Sequence, residues 1–254
     1  VATYSIDQSI RFNDNDSAYL TDTLGTATDA NRWTYSVWVK RSNLTGAYMS
    51  LINASSALTD TGFLAMNFHI DNTLYVTGWN TRWRQTSQVF RDISAWYHIV
   101  LAVDTDQGTA NDRIKLYVNG EQVTALSVTT NPSSGANLGI NTAGPHEIGR
   151  DYGAIRYFDG YQSEINLIDG QQLAATDFGE LNDSGVWVPK VFTGTYGTNG
   201  FYLTGADSAA LGTDYSGNGN DFTSSGLTAA DQMLDTPTNN YPVFSPINKS
   251  TNIT

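Results

Sequence analysis

Residues 95–123, AWYHIVLAVDTDQGTANDRIKLYVNGEQV, decide the fold class. From Tyr97 onward Ile99, Leu101 and Val103 are apolar at every second position. After a polar loop, Ile114, Leu116 and Val118 alternate with Arg113, Lys115, Tyr117 and Asn119, the period-two pattern of strands with one buried face. Asn119-Gly120 is the dipeptide that most readily takes the positive φ angles of a two-residue hairpin. The turn predicts Val118 opposite Glu121 and Leu116 opposite Val123, hence three antiparallel strands. Their apolar face needs a cover, and because helical periodicity is scarce elsewhere, that cover is predicted to be a second sheet.

The same alternation recurs outward from this hairpin. SIRFN and SAYL read as short strands joined by the acidic turn NDND, and TDTLGTATDANR as a Thr, Asp and Gly loop. Trp33–Lys40 places Trp33, Tyr35, Val37 and Val39 on one side, with Trp38 opposite and expected beneath a neighbouring loop. Residues 49–53 and 62–76 supply two or three more strands, with His69 expected as a satisfied polar group. His98 is expected on the polar side of its strand. Residues 124–141 read as a long loop, and HEIGR with YFDGYQSEINLIDGQQL resumes the strands, Ile165 and Leu167 sharing a face. Leu173–Phe178 is the one helical turn expected, capped by Thr176 or Asp177. Residues 235–254, with three of the six prolines and little alternation, read as an extended arm or linker beyond a domain of residues 1–234.

Composition excludes several function classes. The chain has 254 residues, 40% hydrophobic and 12% aromatic, enough for one large all-β domain. It has no cysteine, so disulfides and thiolate ligands are unavailable. Thirteen basic against 25 acidic residues give a net charge of −12, the wrong sign for a nucleic-acid groove. No apolar run approaches the roughly 18–20 residues that span a bilayer, so membrane insertion is not expected. The first residues lack the charged start and apolar block of a secretory leader, and a chain beginning at Val1 is expected to be processed, trimmed or excerpted.

Two stretches between strands concentrate aromatic and basic side chains. WNTRWR places Trp79, Arg82 and Trp83 together, and GRDYGAIRY places Arg150, Tyr152 and Tyr157. An indole beside guanidinium donors suits a sugar, whose C–H face packs on the ring while its hydroxyls take hydrogen bonds. The competing reading has these rings plugging the ends of the sandwich. The sharpest metal motif is DYSGNGND, where Asp214, Ser216, Asn218, Asn220 and Asp221 offer oxygens and Gly217 and Gly219 allow a tight loop, as in calcium sites. It lacks the closing glutamate of an EF-hand, and an Asx-turn held by its own backbone is the alternative.

Catalysis is not expected. Only Glu121, Glu147, Glu164 and Glu180 are glutamates, and no E-x-D-x-x-E or E-x-D-x-E triplet supplies the paired carboxylates of a retaining glycosidase. There is no G-x-S-x-G elbow, and His69, His98 and His146 have no metal-ligand spacing.

SIRFNDNDSAYL, WTYSVWVKRS, WYHIVLAVD, RIKLYVNGEQV, HEIGR with YFDGYQSEINLIDGQQL, GVWVPK, GTYGTNGFYL and LGTDYSGNGNDFT, in this order, resemble the laminin-G/pentraxin-like branch of the concanavalin A-like lectin and glucanase superfamily. More narrowly, they are similar to its versions in virion proteins of tailed, especially marine, phages. The resemblance covers about residues 5–240. It implies an antiparallel jelly-roll sandwich, usually non-catalytic, that binds glycans or proteins through loops at one edge or face, sometimes with calcium. In many such sequences the D-x-S-G-N-G-N segment precedes the first strand, whereas here it is expected to follow the last. The expectation is a lectin-like protein on the virion surface, in a tail fibre or a capsid decoration, contacting host surface glycans and other virion proteins as a homo-oligomer, trimer or dimer. A secreted or cell-surface adhesin, a purely structural assembly module and a polysaccharide-degrading enzyme are the alternatives.

Overall fold

A computed structural model describes residues 4–44 and 46–240. In chain order its strands are β1 (Ser9–Phe12), β2 (Tyr19–Leu24), β3 (Arg32–Arg41), β4 (Met49–Ser55), β5 (Phe63–Phe68), β6 (Thr73–Thr77), β7 (Arg82–Val89), β8 (Tyr97–Asp104) and β9 (Ile114–Val118). They continue as β10 (Glu121–Gln122), β11 (Leu126–Thr129), β12 (Gly144–Ile148), β13 (Gly160–Asp169), β14 (Gly179–Leu181), β15 (Trp187–Pro189), β16 (Phe201–Leu203), β17 (Thr223–Ser225) and β18 (Gln232–Met233). One sheet runs β10-β9-β8-β3-β13-β1-β18 with β16 added beside β13. The second runs β11-β7-β6-β5-β4-β12-β2-β17, and every pairing is antiparallel. This is the two-sheet sandwich the alternation predicted, in the jelly-roll form the resemblance implied.

The hairpin forms in the expected register: Val118 faces Glu121, and the Val123 amide donates to the Leu116 carbonyl at 2.8 Å. Asn119 and Gly120 adopt φ of 48° and 87°, the positive angles that a type I′ turn requires. The alternating residues of β3, β8 and β9 meet Leu64, Met66, Phe68, Leu74 and Val76 of the second sheet in one apolar core. Burying such side chains contributes roughly 1.5–3 kcal/mol each before the entropy of ordering them is subtracted.

A third layer lies outside the first sheet. Val100 and Ile168 point away from the main core and are covered by Ala175 and Phe178, flanked by Leu173, Trp187 and Phe192. His98 is therefore sealed instead of facing solvent. Its ring stacks between Trp38 (4.9 Å) and Trp187 (6.0 Å), the Trp187 indole N–H donates to Nδ1, and Ser36 Oγ lies 2.9 Å from Nε2. Because Nδ1 accepts, the proton sits on Nε2 and is donated to Ser36. Burial lowers the His98 pKa to about 3, which fixes the imidazole as neutral.

Several local expectations are corrected. Thr21–Leu24 belongs to β2, and the supposed loop at 124–141 contains β11, which adds to the edge of β7. Four 3-10 turns occur among the described residues, not one, and in the expected turn Asp177 accepts from the Ala174 amide at 3.0 Å. β17 and β18 follow the DYSGNGND loop. The arm predicted to leave at Asp235 instead begins inside the body. Asp235 and Thr236 are buried, and the Asp235 carboxylate accepts from Lys40 Nζ (2.7 Å) and the Trp96 indole (3.1 Å). Asn240 accepts from the same ammonium at 2.8 Å, while residues 241–254 lie outside the described residues.

Gly120 combines positive φ with contact: a Cβ there would lie 2.6 Å from the Trp187 ring. Gly120→Ala is expected to lower unfolding stability by about 1–3 kcal/mol in urea titration. Gly108→Ala, with open space around it and no positive φ, serves as the control and should stay within about 0.5 kcal/mol.

Candidate functional site

The outer face of the second sheet is polar by the same alternation that makes its inner face apolar. Along this face Ser50 pairs with Asn67, Asn67 with Tyr75, and Tyr75 with Gln85. Two loops rise over the row. The turn after β6 carries Trp79 and is fastened by Asp60, which accepts from the Asn80 amide (2.7 Å), the Thr81 amide (3.0 Å) and the Thr81 hydroxyl (2.7 Å). These donors hold the Asp60 carboxyl below its usual range despite some desolvation. The segment after β12 folds across the sheet, its Arg156 carbonyl accepting from the Ser50 amide at 2.9 Å.

Between the two loops lies a cleft of about 480 Å³, walled by Tyr48, Phe63, Tyr75, Trp79, Arg82 and Arg156. Trp79 is 42% exposed, yet Phe63 and Tyr152 pack edge-on against it, at 5.6 and 6.2 Å between ring centroids. Its indole is thus braced while part of its surface faces water. Arg82 stacks 5.3 Å from the Tyr75 centroid and donates to Gln85 Oε1 at 2.6 Å. Arg156 stacks 4.6 Å from the Tyr48 centroid and donates to the buried Asp151 at 2.8 Å. His69 closes the aromatic group, 5.0 Å from Tyr48 and 5.3 Å from Tyr75. A braced indole and two planar guanidiniums can receive a flat apolar face and several hydroxyl or anionic oxygens at once.

The two sequence stretches therefore meet, though not as complete sets. Trp79, Arg82 and Tyr152 gather at the cleft. Trp83 does not: it lies on β7, 7% exposed, with its ring in the core, because period two turns it opposite Arg82. Arg84 is also drawn inward, donating to the Ile114 and Thr130 carbonyls and to Asn131. Arg150 and Tyr157 go elsewhere. Arg150 lies 3.4 Å from the Tyr19 centroid and 2.5 Å from Glu147, and Tyr157 packs 6.4 Å from Tyr19. Tyr48, Tyr75 and Arg156 were missed. Tyr75 was recoverable, since it alternates with the core residues Leu74 and Val76.

A second pocket, about 300 Å³, lies on the far side of the sandwich under the N-terminal segment. Its floor is Glu164, at a bulge where β13 slips register between Ser163 and Asn166. Glu164 has φ +51°, a conformation that costs a non-glycine residue of order 1 kcal/mol or more. It accepts from the hydroxyls of Tyr202 (2.7 Å) and Tyr4 (2.8 Å). Burial raises its pKa against the opposing pull of these two phenols.

The DYSGNGND loop is held by its own hydrogen bonds. Asp214 Oδ1 accepts from the Tyr202 and Ser216 amides, both at 2.8 Å, and Oδ2 from the Ser216 hydroxyl (2.8 Å) and the Asn220 amide (3.0 Å). Asn218 and Asn220 turn their NH₂ groups onto the Gly197, Thr198 and Gly200 carbonyls, and Asp221 accepts from the Asp214 amide. Asp214, the carboxylate at the centre of the loop, is thus committed to four protein donors, and the loop closes on its own hydrogen bonds. Among the described residues no three His, Asp or Glu side chains gather as ligands.

Residues 12–176 match the Laminin_G_3 family model of the concanavalin A-like lectin/glucanases superfamily. The chain belongs to this family. The match contains the aromatic cleft and Glu164 but ends before Tyr202 and the DYSGNGND loop. Among solved structures, this Laminin_G_3 chain is similar to a protein of Bacteroides ovatus described as a "putative carbohydrate binding protein", at 19% identity and a TM-score of 0.61. That match covers 92% of this chain and 62% of the other, so the chain spans less than two thirds of that protein's length. It also resembles the heptameric SAP-like pentraxin of Limulus polyphemus, at 17% identity, TM-score 0.47, covering 68% of this chain and 80% of that one. A search of curated protein sequences gives no match.

Two measurements follow. Adding EDTA should leave the melting temperature unchanged, since the loop is stapled without a cation; a drop would show that calcium orders it. For Glu164, a folded-state pKa above the ordinary glutamate value means that the folded protein keeps a proton the unfolded chain has lost, so stability falls as pH rises through that window. Glu164→Gln lacks this loss. Its melting temperature relative to wild type should therefore become more favourable from pH 4 to pH 7, and an unchanged difference would show that Glu164 titrates normally.

Proposed function

We propose that this chain is a non-catalytic, lectin-like carbohydrate-binding domain whose ligand site is the cleft between the Trp79 turn and the segment carrying Tyr152 and Arg156. The observation that carries the reading is the indole of Trp79, exposed but braced on two edges, beside the guanidiniums of Arg82 and Arg156. A sugar ring lays its C–H face on the indole, while its hydroxyls meet Arg82, Arg156 and Asn80. The ligand class named for the Bacteroides ovatus protein agrees with this reading, and bringing it to this chain is part of the proposal.

The non-catalytic half rests on the acids. The four glutamates lie on β10, β12, β13 and β14, spread over three sheets. Glu121 and Glu180 are exposed, Glu147 is engaged by Arg150, and Glu164 by phenols. A glycosidase needs two carboxyls about 5–9.5 Å apart across a scissile bond, and this distribution argues against that pairing.

The finer placement, a virion surface protein of a tail fibre or capsid decoration that touches host surface glycans as a dimer or trimer, rests on the order of the sequence segments. A homo-oligomer would present several such clefts at once and raise avidity without new contacts. A purely structural assembly role through the arm gains nothing from its described part, because Asp235–Asn240 are engaged with Lys40, Trp96 and Ile6.

On a glycan array, wild type is expected to bind a restricted set of glycans, and Trp79→Ala to lose about tenfold or more in affinity for them, from the stacking contribution of about 0.5–1.5 kcal/mol plus lost burial. Arg150→Ala, remote from the cleft, should bind normally. No binding by wild type, or full binding by Trp79→Ala, would overturn the assignment.

A further inference from the structure

The pocket over Glu164 is not absorbed by the glycan reading. It lies on the outer side of the first sheet, while the aromatic cleft lies on the outer side of the second. Strand β13 is flanked on one edge by β1 as far as Gln162 and by β16 from Ile165, so the two neighbours meet end to end and leave a gap between them. Glu164 sits in that gap, re-aimed by the bulge, and the pocket opens above it.

The charge there is unbalanced. The other buried carboxylates each have compensation: Asp104 pairs with Arg32, Asp151 with Arg156, Asp231 with Arg11 and Asp235 with Lys40, while Asp169 accepts from three backbone amides and Asn141. Among the described residues, Glu164, 7% exposed, accepts only from two neutral phenols, and no lysine or arginine lines its pocket. A carboxylate so placed calls for a cation. Asp7 in the wall adds a second negative charge, and Tyr215 offers a half-exposed ring.

We propose that this pocket is a second binding site, specific for a protonated primary amine. A primary ammonium has three N–H donors. The pocket presents three grouped acceptors: the Glu164 carboxylate and the phenol oxygens of Tyr4 and Tyr202, the latter 2.9 Å apart and both within 2.8 Å of the carboxylate. The tyrosine rings and the apolar Ile6 and Ala206 receive the carbon skeleton next to the nitrogen. The volume of about 300 Å³ admits one amino sugar or one alkylamine side chain, and these are the two sources of that chemistry.

The test is calorimetric titration at neutral pH with glucosamine, n-butylamine and N-acetylglucosamine, on wild type, Glu164→Gln and Trp79→Ala. Wild type is expected to bind at least one amine. Glucosamine alone identifies an amino sugar, and butylamine alone or equally well identifies an alkylammonium such as a lysine side chain. That binding should persist in Trp79→Ala, fall at least tenfold in Glu164→Gln, and be absent for the amide, whose nitrogen carries no charge. Should Glu164→Gln fail to fold by circular dichroism, Tyr4→Phe keeps the ring, removes one acceptor and should weaken binding several-fold. Neither amine binding wild type, equal binding by the folded variant, or loss in Trp79→Ala alone would overturn the proposal. The last result would move the amine to the aromatic cleft.

Discussion

Both faces of β3 and β8, at the centre of the first sheet, are buried, and this constraint shapes the rest of the molecule. Every residue of β3 after Arg32 and of β8 after Tyr97 is inaccessible, so polar side chains on the outer face cannot rely on water. Ser36 and His98 satisfy one another and Trp187, and Asn166 accepts from Tyr196. The chain from Gln171 to Gly200 serves chiefly as the cover that makes these bonds possible. A Ser–His pair at 2.9 Å would invite a nucleophile assignment in an open cleft. Here the two tryptophans that sandwich the imidazole exclude substrate, and desolvation removes its basicity.

The second sheet solves the same problem differently. Its outer face is only partly covered, by the Trp79 turn and residues 149–157, and what remains open is the aromatic cleft. The polar row Ser50, Asn67, Tyr75 and Gln85 lies on the half of an antiparallel sheet that ordinarily faces solvent, and here those covering segments bury it. Beside it two arginines lie on tyrosines instead of extending into water, Arg82 on Tyr75 and Arg156 on Tyr48. Stacking holds each guanidinium in a plane, so less freedom is lost when a ligand arrives.

What was legible in the sequence follows from range. The hairpin at Asn119-Gly120, the inward set Trp33, Tyr35, Val37 and Val39, and the burial of Trp38 rest on neighbours a few residues apart, and all were readable. The errors share another cause. Trp83 and Trp79 are four positions apart, yet one belongs to a strand and the other to its turn, and only pairing with β6 decides where β7 starts. Asp235 looked like the start of a tail because its partner, Lys40, is 195 positions away. The loop at Asp214 offered oxygens at calcium spacing, but whether they face an ion or backbone amides depends on Tyr202 and Gly200, which the motif does not contain.

Glu164 shows how a defect of topology becomes a chemical feature. On one edge β13 pairs first with β1 and then with β16, and at their junction it bulges against β3 on its other edge. A glycine would relieve the positive φ and an asparagine would tolerate it better, yet a long acidic side chain occupies the position. Neither strand geometry nor core packing favours that choice, because the backbone is strained and the carboxyl is desolvated without a cation. The bulge turns the carboxyl onto Tyr4 and Tyr202, and those phenols stabilise it only in part, since its pKa still rises. Strain and uncompensated charge at one residue, beside an open pocket, are the combination that a binding site produces and that folding alone does not require.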